Sequence, residues 1–130
     1  MVRGGFFKLV IAGFLLVLTG LSGNVWANEP NPSSGIASVA LSQLPPQGIE
    51  TYQLIRQGGP FLFGKDGVVF GNRERLLPVE KRGYYREYTV KTPRSANRGA
   101  RRIVCGGQAT APDTCYYSDD HYASFRKIVP

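Results

Sequence analysis

After Phe63 the chain alternates apolar and polar residues with period two almost to its last residue, and a single helical stretch precedes that pattern. Alternation sends successive side chains to opposite faces of a strand, so such a chain must bury one face of a sheet. The expected strands are Val68 to Arg73, Tyr84 to Thr92, Arg101 to Gly106, Cys115 to Tyr117 and Ser124 to Val129. Turn-forming stretches such as Lys65-Asp66-Gly67 and Thr92-Pro93-Arg94-Ser95 separate them. Upstream, Pro45-Pro46 opens a segment in which Ile49, Tyr52, Leu54 and Ile55 are spaced for one helical face. Gly58-Gly59 ends it. Ile36 to Leu44 is expected to pack as an N-terminal segment. One helix followed by a run of strands predicts an α+β fold, with the helix packed on one face of a twisted antiparallel β-sheet.

The first residues read as an address. Arg3 and Lys8 precede an apolar run from Leu9 to Leu21, and Val25-Trp26-Ala27 places small residues where a signal peptidase cuts. The run is short of the roughly 20 apolar residues that span a bilayer. The expected organisation is a signal peptide over 1–27, a flexible Pro-, Ser- and Asn-rich leader over 28–35, and one domain over 36–130. After cleavage no membrane attachment is expected. The product is then secreted, to the periplasm or beyond the cell. An oxidising compartment turns Cys105 and Cys115, the only two cysteines, into an expected disulfide across a short loop. With one histidine and two cysteines the chain cannot build a Cys/His zinc site, and it has neither a GxxxxGK[ST] nor a GxGxxG loop.

Alternation also assigns faces. Tyr88, Val90 and Ile103 suit the core. Tyr85, Glu87, Thr89 and Lys91 then point the other way, as do Arg102 and Val104. With the helix on the first face, the second is expected to be open to water. The formal net charge is +7, and Arg94, Arg98, Arg101 and Arg102 cluster before and within one strand. Such a cluster is either solvated surface charge or a phosphate site, because guanidinium forks match phosphate oxygens. Glu87 and His121 suit general acid-base chemistry. A carboxylate near arginines stays ionised and accepts a proton, and an imidazole titrating near neutrality donates one. RNA cleavage needs both acts, because the 2′-hydroxyl loses a proton and the 5′-oxygen gains one. Tyrosines beside a basic face also suit stacking of single-stranded bases. A non-catalytic secreted module holding RNA or another polyanion would use the same arginines and tyrosines without the Glu/His pair.

Four segments resemble the secreted microbial guanyl-specific ribonucleases, the barnase-like family and most closely its Streptomyces branch. Asp66-Gly67-Val68-Val69-Phe70-Gly71-Asn72-Arg73-Glu74 is similar to the guanine-binding loop. Gly83-Tyr84-Tyr85-Arg86-Glu87-Tyr88-Thr89-Val90 is similar to the strand bearing the general base. Arg98-Gly99-Ala100-Arg101-Arg102-Ile103 is similar to the arginine pair, and Asp120-His121-Tyr122-Ala123-Ser124-Phe125 to the general-acid segment. The order and spacing of the four match from about Leu44 to Ile128. The resemblance implies cleavage of single-stranded RNA after guanosine through a 2′,3′-cyclic phosphate, with no metal and no organic cofactor. It implies Glu87 as base, His121 as acid, and Arg98 and Arg102 as stabilisers of the charged phosphorus centre. It assigns guanine binding to Phe70, Asn72, Arg73, Glu74 and Tyr122. Glu74 would accept from guanine N1–H and the N2 amine, where adenine presents an acceptor at N1. A monomer is implied, and a basic active face suits an acidic barstar-like protein inhibitor.

The likeness has departures. The Streptomyces members join their N-terminal segment to their C-terminus by a disulfide, and here Ala40 stands at the matching upstream position. Gly71 replaces a bulkier residue, which predicts a looser recognition loop. Arg86 is expected to add positive charge beside Glu87.

Overall fold

Pro46 starts helix α1 (Pro46–Gln57), where its missing N–H costs no intrahelical bond and its fixed φ is already helical. Gly58 ends it at φ 85°, a left-handed turn that lets Gly58 N–H and Gly59 N–H reach the carbonyls of Ile55 and Leu54. Gly48, Thr51, Tyr52 and Ile55, spaced three to four apart, form its buried stripe. The computed structural model describes residues 35–130; the expected signal peptide and nearly all of the leader lie outside them. Among the described residues no helix is long and apolar enough to cross a membrane.

Five strands form one sheet: β1 (Ser38–Ala40), β2 (Tyr85–Thr89), β3 (Arg102–Gly107), β4 (Pro112–Ser118) and β5 (Arg126–Val129), in the order β1-β5-β4-β3-β2. The α+β architecture is the expected one, and the three central pairings are antiparallel. The sheet is nevertheless mixed, because β1 joins its edge parallel to β5. Ala40 pairs with Val129 across that edge. A short 3-10 turn (Leu41–Gln43) then leads to the helix.

The expected strand from Val68 to Arg73 does not form as one. Residues 67–70 hang on the outer edge of β2 through Gly67 N–H to Glu87 O, Glu87 N–H to Val68 O and Phe70 N–H to Tyr85 O, with one isolated bridge between Val69 and Arg86. Asn72 then turns left-handed at φ 49° and lifts the chain off the sheet.

The main core lies between α1 and the sheet. Tyr52 and Ile55 meet Tyr88, Val90, Ile103, Cys105, Cys115, Tyr117 and Ile128. Cys105 and Cys115 sit directly opposite in the β3–β4 ladder and form the expected disulfide. The second face is not open as alternation suggested. Tyr85, Val104, Tyr116, Leu77 and Phe125 form a smaller core on it, with Phe70, Tyr84 and Tyr122 packed against them. The loop after Asn72 and the turn after β4 fold over that face as its cover. Strand β3 is therefore buried on both sides from Arg102 to Gly106.

Candidate active site

Strand register sets the centre of the site. Glu87 pairs with Val104 and Thr89 with Arg102, so Glu87, Thr89 and Arg102 share the face away from the helix. The Glu87 side chain is 13% exposed. Its Oε1 accepts from Arg98 Nη2 at 3.1 Å and its Oε2 from the Tyr122 hydroxyl at 2.6 Å. Both carboxylate oxygens are thus held, one by a charged donor, which fixes the carboxylate's rotation.

Arg98 is aimed from below. Its Nε donates to Thr89 Oγ1 at 2.9 Å, and Thr89 is itself fixed on two further sides. Thr89 N–H donates to Asp66 Oδ1 at 2.7 Å, and its carbonyl accepts from Thr51 Oγ1 of the helix at 3.3 Å. Arg102 is only 2% exposed. Its Nη1 donates to Arg101 O at 2.8 Å, its Nε to the Tyr122 hydroxyl at 3.1 Å, and its guanidinium lies 5.7 Å from the centre of the Tyr122 ring. Arg86, expected beside the base, points to the other side of the strand, where its Nη1 donates to Gly67 O at 2.9 Å.

Tyr122 is the hub that the sequence reading placed only in guanine binding. Its ring stacks on Phe70 at 5.1 Å, while its hydroxyl bridges Glu87 and Arg102. Burial first, and the Glu87 carboxylate second, push its phenol above the usual tyrosine range, so it serves Glu87 as a neutral donor. Thr89 was also missed. Its place two residues after Glu87, on the same face, was the signal that could have found it.

His121 and Tyr122 occupy a turn in left-handed backbone, with φ 52° and 71°. His121 N–H donates to Ala100 O at 3.0 Å, which sets the turn beside the arginine segment. Both residues line a cavity of about 670 Å³. Its other walls are Phe70, Gly71, Asn72, Arg73, Glu74 and Leu76 of the loop after residue 70, and Ala123 and Phe125. The structure thus brings His121 and the five residues assigned to guanine into one cavity, and joins Glu87, Arg98 and Arg102 to it through Tyr122. Asn72 serves the loop more than the cavity. Its Oδ1 accepts from Leu77 N–H at 3.1 Å and its Nδ2 donates to Leu77 O at 3.0 Å. Glu74 is exposed at the cavity wall with no protein partner among the described residues.

A carboxylate held by one guanidinium and linked to a second through a tyrosine hydroxyl, with an imidazole and a free carboxylate lining the cavity beside that tyrosine, forms a recognisable set. The ribonuclease family model matches residues 27–129. The chain is 50% identical over 97 residues to guanyl-specific ribonuclease St of Saccharopolyspora erythraea, covering 75% of this chain and 92% of that one. The chain belongs to the microbial guanyl-specific ribonucleases. It is also 54% identical over 93 residues to guanyl-specific ribonuclease Sa3 of Kitasatospora aureofaciens, covering 72% of this chain but only 64% of Sa3. Among solved structures, ribonuclease Sa2, studied in complexes with mononucleotides, superposes with a TM-score of 0.68. It is 47% identical, over 73% of this chain and 95% of that one. Ribonuclease Sa2 shares the α+β fold described above.

Proposed function

We propose that this ribonuclease cuts single-stranded RNA on the 3′ side of guanosine by transesterification to a 2′,3′-cyclic phosphate, followed by hydrolysis. Glu87 takes the proton of the 2′-hydroxyl as its oxygen attacks phosphorus. His121 gives a proton to the departing 5′-oxygen. Arg98 and Arg102 lower the energy of the extra charge on the phosphorus centre. In the second step the two proton carriers exchange roles. Guanine enters the cavity against Phe70 and Tyr122, with the Glu74 carboxylate accepting from N1–H and N2 and backbone N–H groups near Asn72 and Arg73 serving O6. A related structure holding 3′-GMP supports that occupant.

The observation that carries this reading is the Glu87 carboxylate, clamped by Arg98 and by Tyr122–Arg102 and joined through Tyr122 to the cavity that His121 lines. A module that only binds RNA has no use for a carboxylate fixed this way. Incubating the purified protein with a defined oligonucleotide in EDTA, and mapping the ends, tests it. Cyclic phosphates after guanosine are expected, together with a loss of roughly two orders of magnitude or more in Glu87→Gln and His121→Ala. Uncut RNA, or efficient cutting at 2′-deoxyguanosine, would overturn it.

Three further readings belong with this one. The protein is secreted after removal of residues 1–27, which agrees with a disulfide in its core. It acts as a monomer. Its basic active face suits an acidic barstar-like inhibitor, whose salt-dependent association would show the electrostatic contribution.

A further inference from the structure

His121 and Tyr122 are consecutive residues with side chains in left-handed backbone, a conformation that crowds Cβ against the carbonyl oxygen and persists only where neighbours impose it. The neighbours here converge on Asp120. Its Oδ1 accepts from Ser118 Oγ at 2.8 Å and from Ser124 N–H at 3.0 Å, and its Oδ2 from Ser124 Oγ at 2.5 Å. Ser118 Oγ in turn accepts from Tyr122 N–H at 3.0 Å. The carboxylate thus ties the residue three before His121 to the residue three after it. Asp120 does not line the guanine cavity and has no ion-pair partner among the described residues. Its three donors, the Ser124 hydroxyl foremost, hold its carboxyl below the usual range, so it stays ionised wherever His121 can act as an acid.

The two residues on the turn depend on this clamp unequally. Tyr122 has independent anchors in Arg102, Glu87 and the Phe70 ring. The His121 imidazole makes no hydrogen bond among the described residues; apart from an edge-on contact with the Tyr122 ring, 5.0 Å between centroids, it is placed by its backbone, through Ala100 O and the turn itself. We propose that Asp120 is a positioning residue of the reaction: bridging Ser118 and Ser124, it holds the turn that aims the imidazole at the leaving 5′-oxygen. The proposal rests on the reading of His121 as the acid.

The test compares two substrates. In the dinucleotide guanylyl-cytidine the leaving oxygen needs a proton, whereas in a guanosine 3′-aryl phosphate the phenolate departs without one. His121→Ala should lose far more on the first than on the second. Asp120→Ala should follow it, with kcat down about 10- to 30-fold on the dinucleotide and no more than about threefold on the aryl ester, and KM within about threefold. Added to His121→Ala, it should cost no more than about twofold further, because the group it positions is gone. Asp120→Asn, which keeps one acceptor oxygen, should recover part of the loss. If Asp120→Ala does not fold, Ser124→Ala carries the same comparison with a smaller loss on the dinucleotide alone. Equal losses on both substrates, additive losses in the double variant, or full dinucleotide activity in folded Asp120→Ala would overturn the proposal alone. Full dinucleotide activity in His121→Ala would overturn the acid assignment and the proposal with it.

Discussion

Glu87 owes its fixed position to hydroxyls as much as to charges. Thr89 aims Arg98 from one side, and Tyr122 closes the other, so each carboxylate oxygen has a donor and its rotation is set before substrate arrives. Tyr122→Phe removes the hydroxyl while keeping the ring that stacks on Phe70. The expected result is kcat lower by about tenfold with little change in guanine affinity. Thermal or urea unfolding should show a loss of about 1–3 kcal/mol from the unpaired Glu87 and Arg102 atoms. Gly71 behaves differently. Its φ is not left-handed, and a Cβ there would touch only the Arg73 side chain, at 3.7 Å, an ordinary contact. Gly71→Ala should therefore fold with a gain of about 0.4–1 kcal/mol, from lower entropy of the unfolded chain, and tighten the recognition loop. At this scale Glu87, Arg98, Arg102 and His121 stand out as candidates in the chain because each is the chemically apt residue in a short motif. Asp120 was not, although the Ser-x-Asp-x-x-x-Ser spacing around it is a local hydrogen-bonding pattern that can be read from the chain.

Elements carry the residues to one place, and two tight points control them. The arginine segment turns at Gly99, which sits at φ 64°, where a Cβ would lie 2.5 Å from Thr92 Oγ1. Gly99→Ala cannot keep that turn, so it should lower both stability and kcat. A circular dichroism melt alongside a dinucleotide assay would read the two effects together. The β3–β4 hairpin is pinned by the disulfide between Cys105 and Cys115, ten residues apart. Replacing both by Ala should reduce unfolding free energy by roughly 2–3 kcal/mol, the scale expected for closing a loop of that length. Activity per folded molecule should be unchanged, since both cysteines face the helix-side core, away from Glu87. Most elements were legible from period and punctuation. The strand expected from Val68 to Arg73 was overextended, because alternation continues past the point where Asn72 turns left-handed and commits its side chain to Leu77.

Across the molecule, tyrosines help to build both cores, and most resist ionisation. Burial is the main cause for Tyr84, Tyr85, Tyr88, Tyr117 and Tyr122; the Tyr84 phenol is pushed up to about 12, helped by Asp113. In the unfolded chain all five ionise near the ordinary value of about 10. Above that pH the unfolded state has lost protons that the folded state keeps, so stability falls as pH rises. The contribution is complete below about pH 10 and disappears as the raised values are passed. Urea midpoints measured across the alkaline range should decline from about pH 10, with tyrosinate absorbance appearing together with unfolding. A midpoint flat to pH 12 would count against buried phenols as the source.

From the chain alone follow the order of helix and strands, the caps of α1, the cysteine pair and the four short segments that carry the candidate base, acid, arginines and guanine loop. These are local matters of period, turn chemistry and residue type. Tertiary structure decided that the second face of the sheet is covered, that β1 closes the sheet in parallel, and that the Tyr122 hydroxyl reaches Glu87 from 35 positions away. Alternation tells a side chain which face to take but not what will fold over that face. That depends on left-handed turns at Asn72, His121 and Tyr122, which the side-chain bonds of Asn72 to Leu77 and of Asp120 to Ser118 and Ser124 hold, Tyr122 having the least tolerance for such backbone.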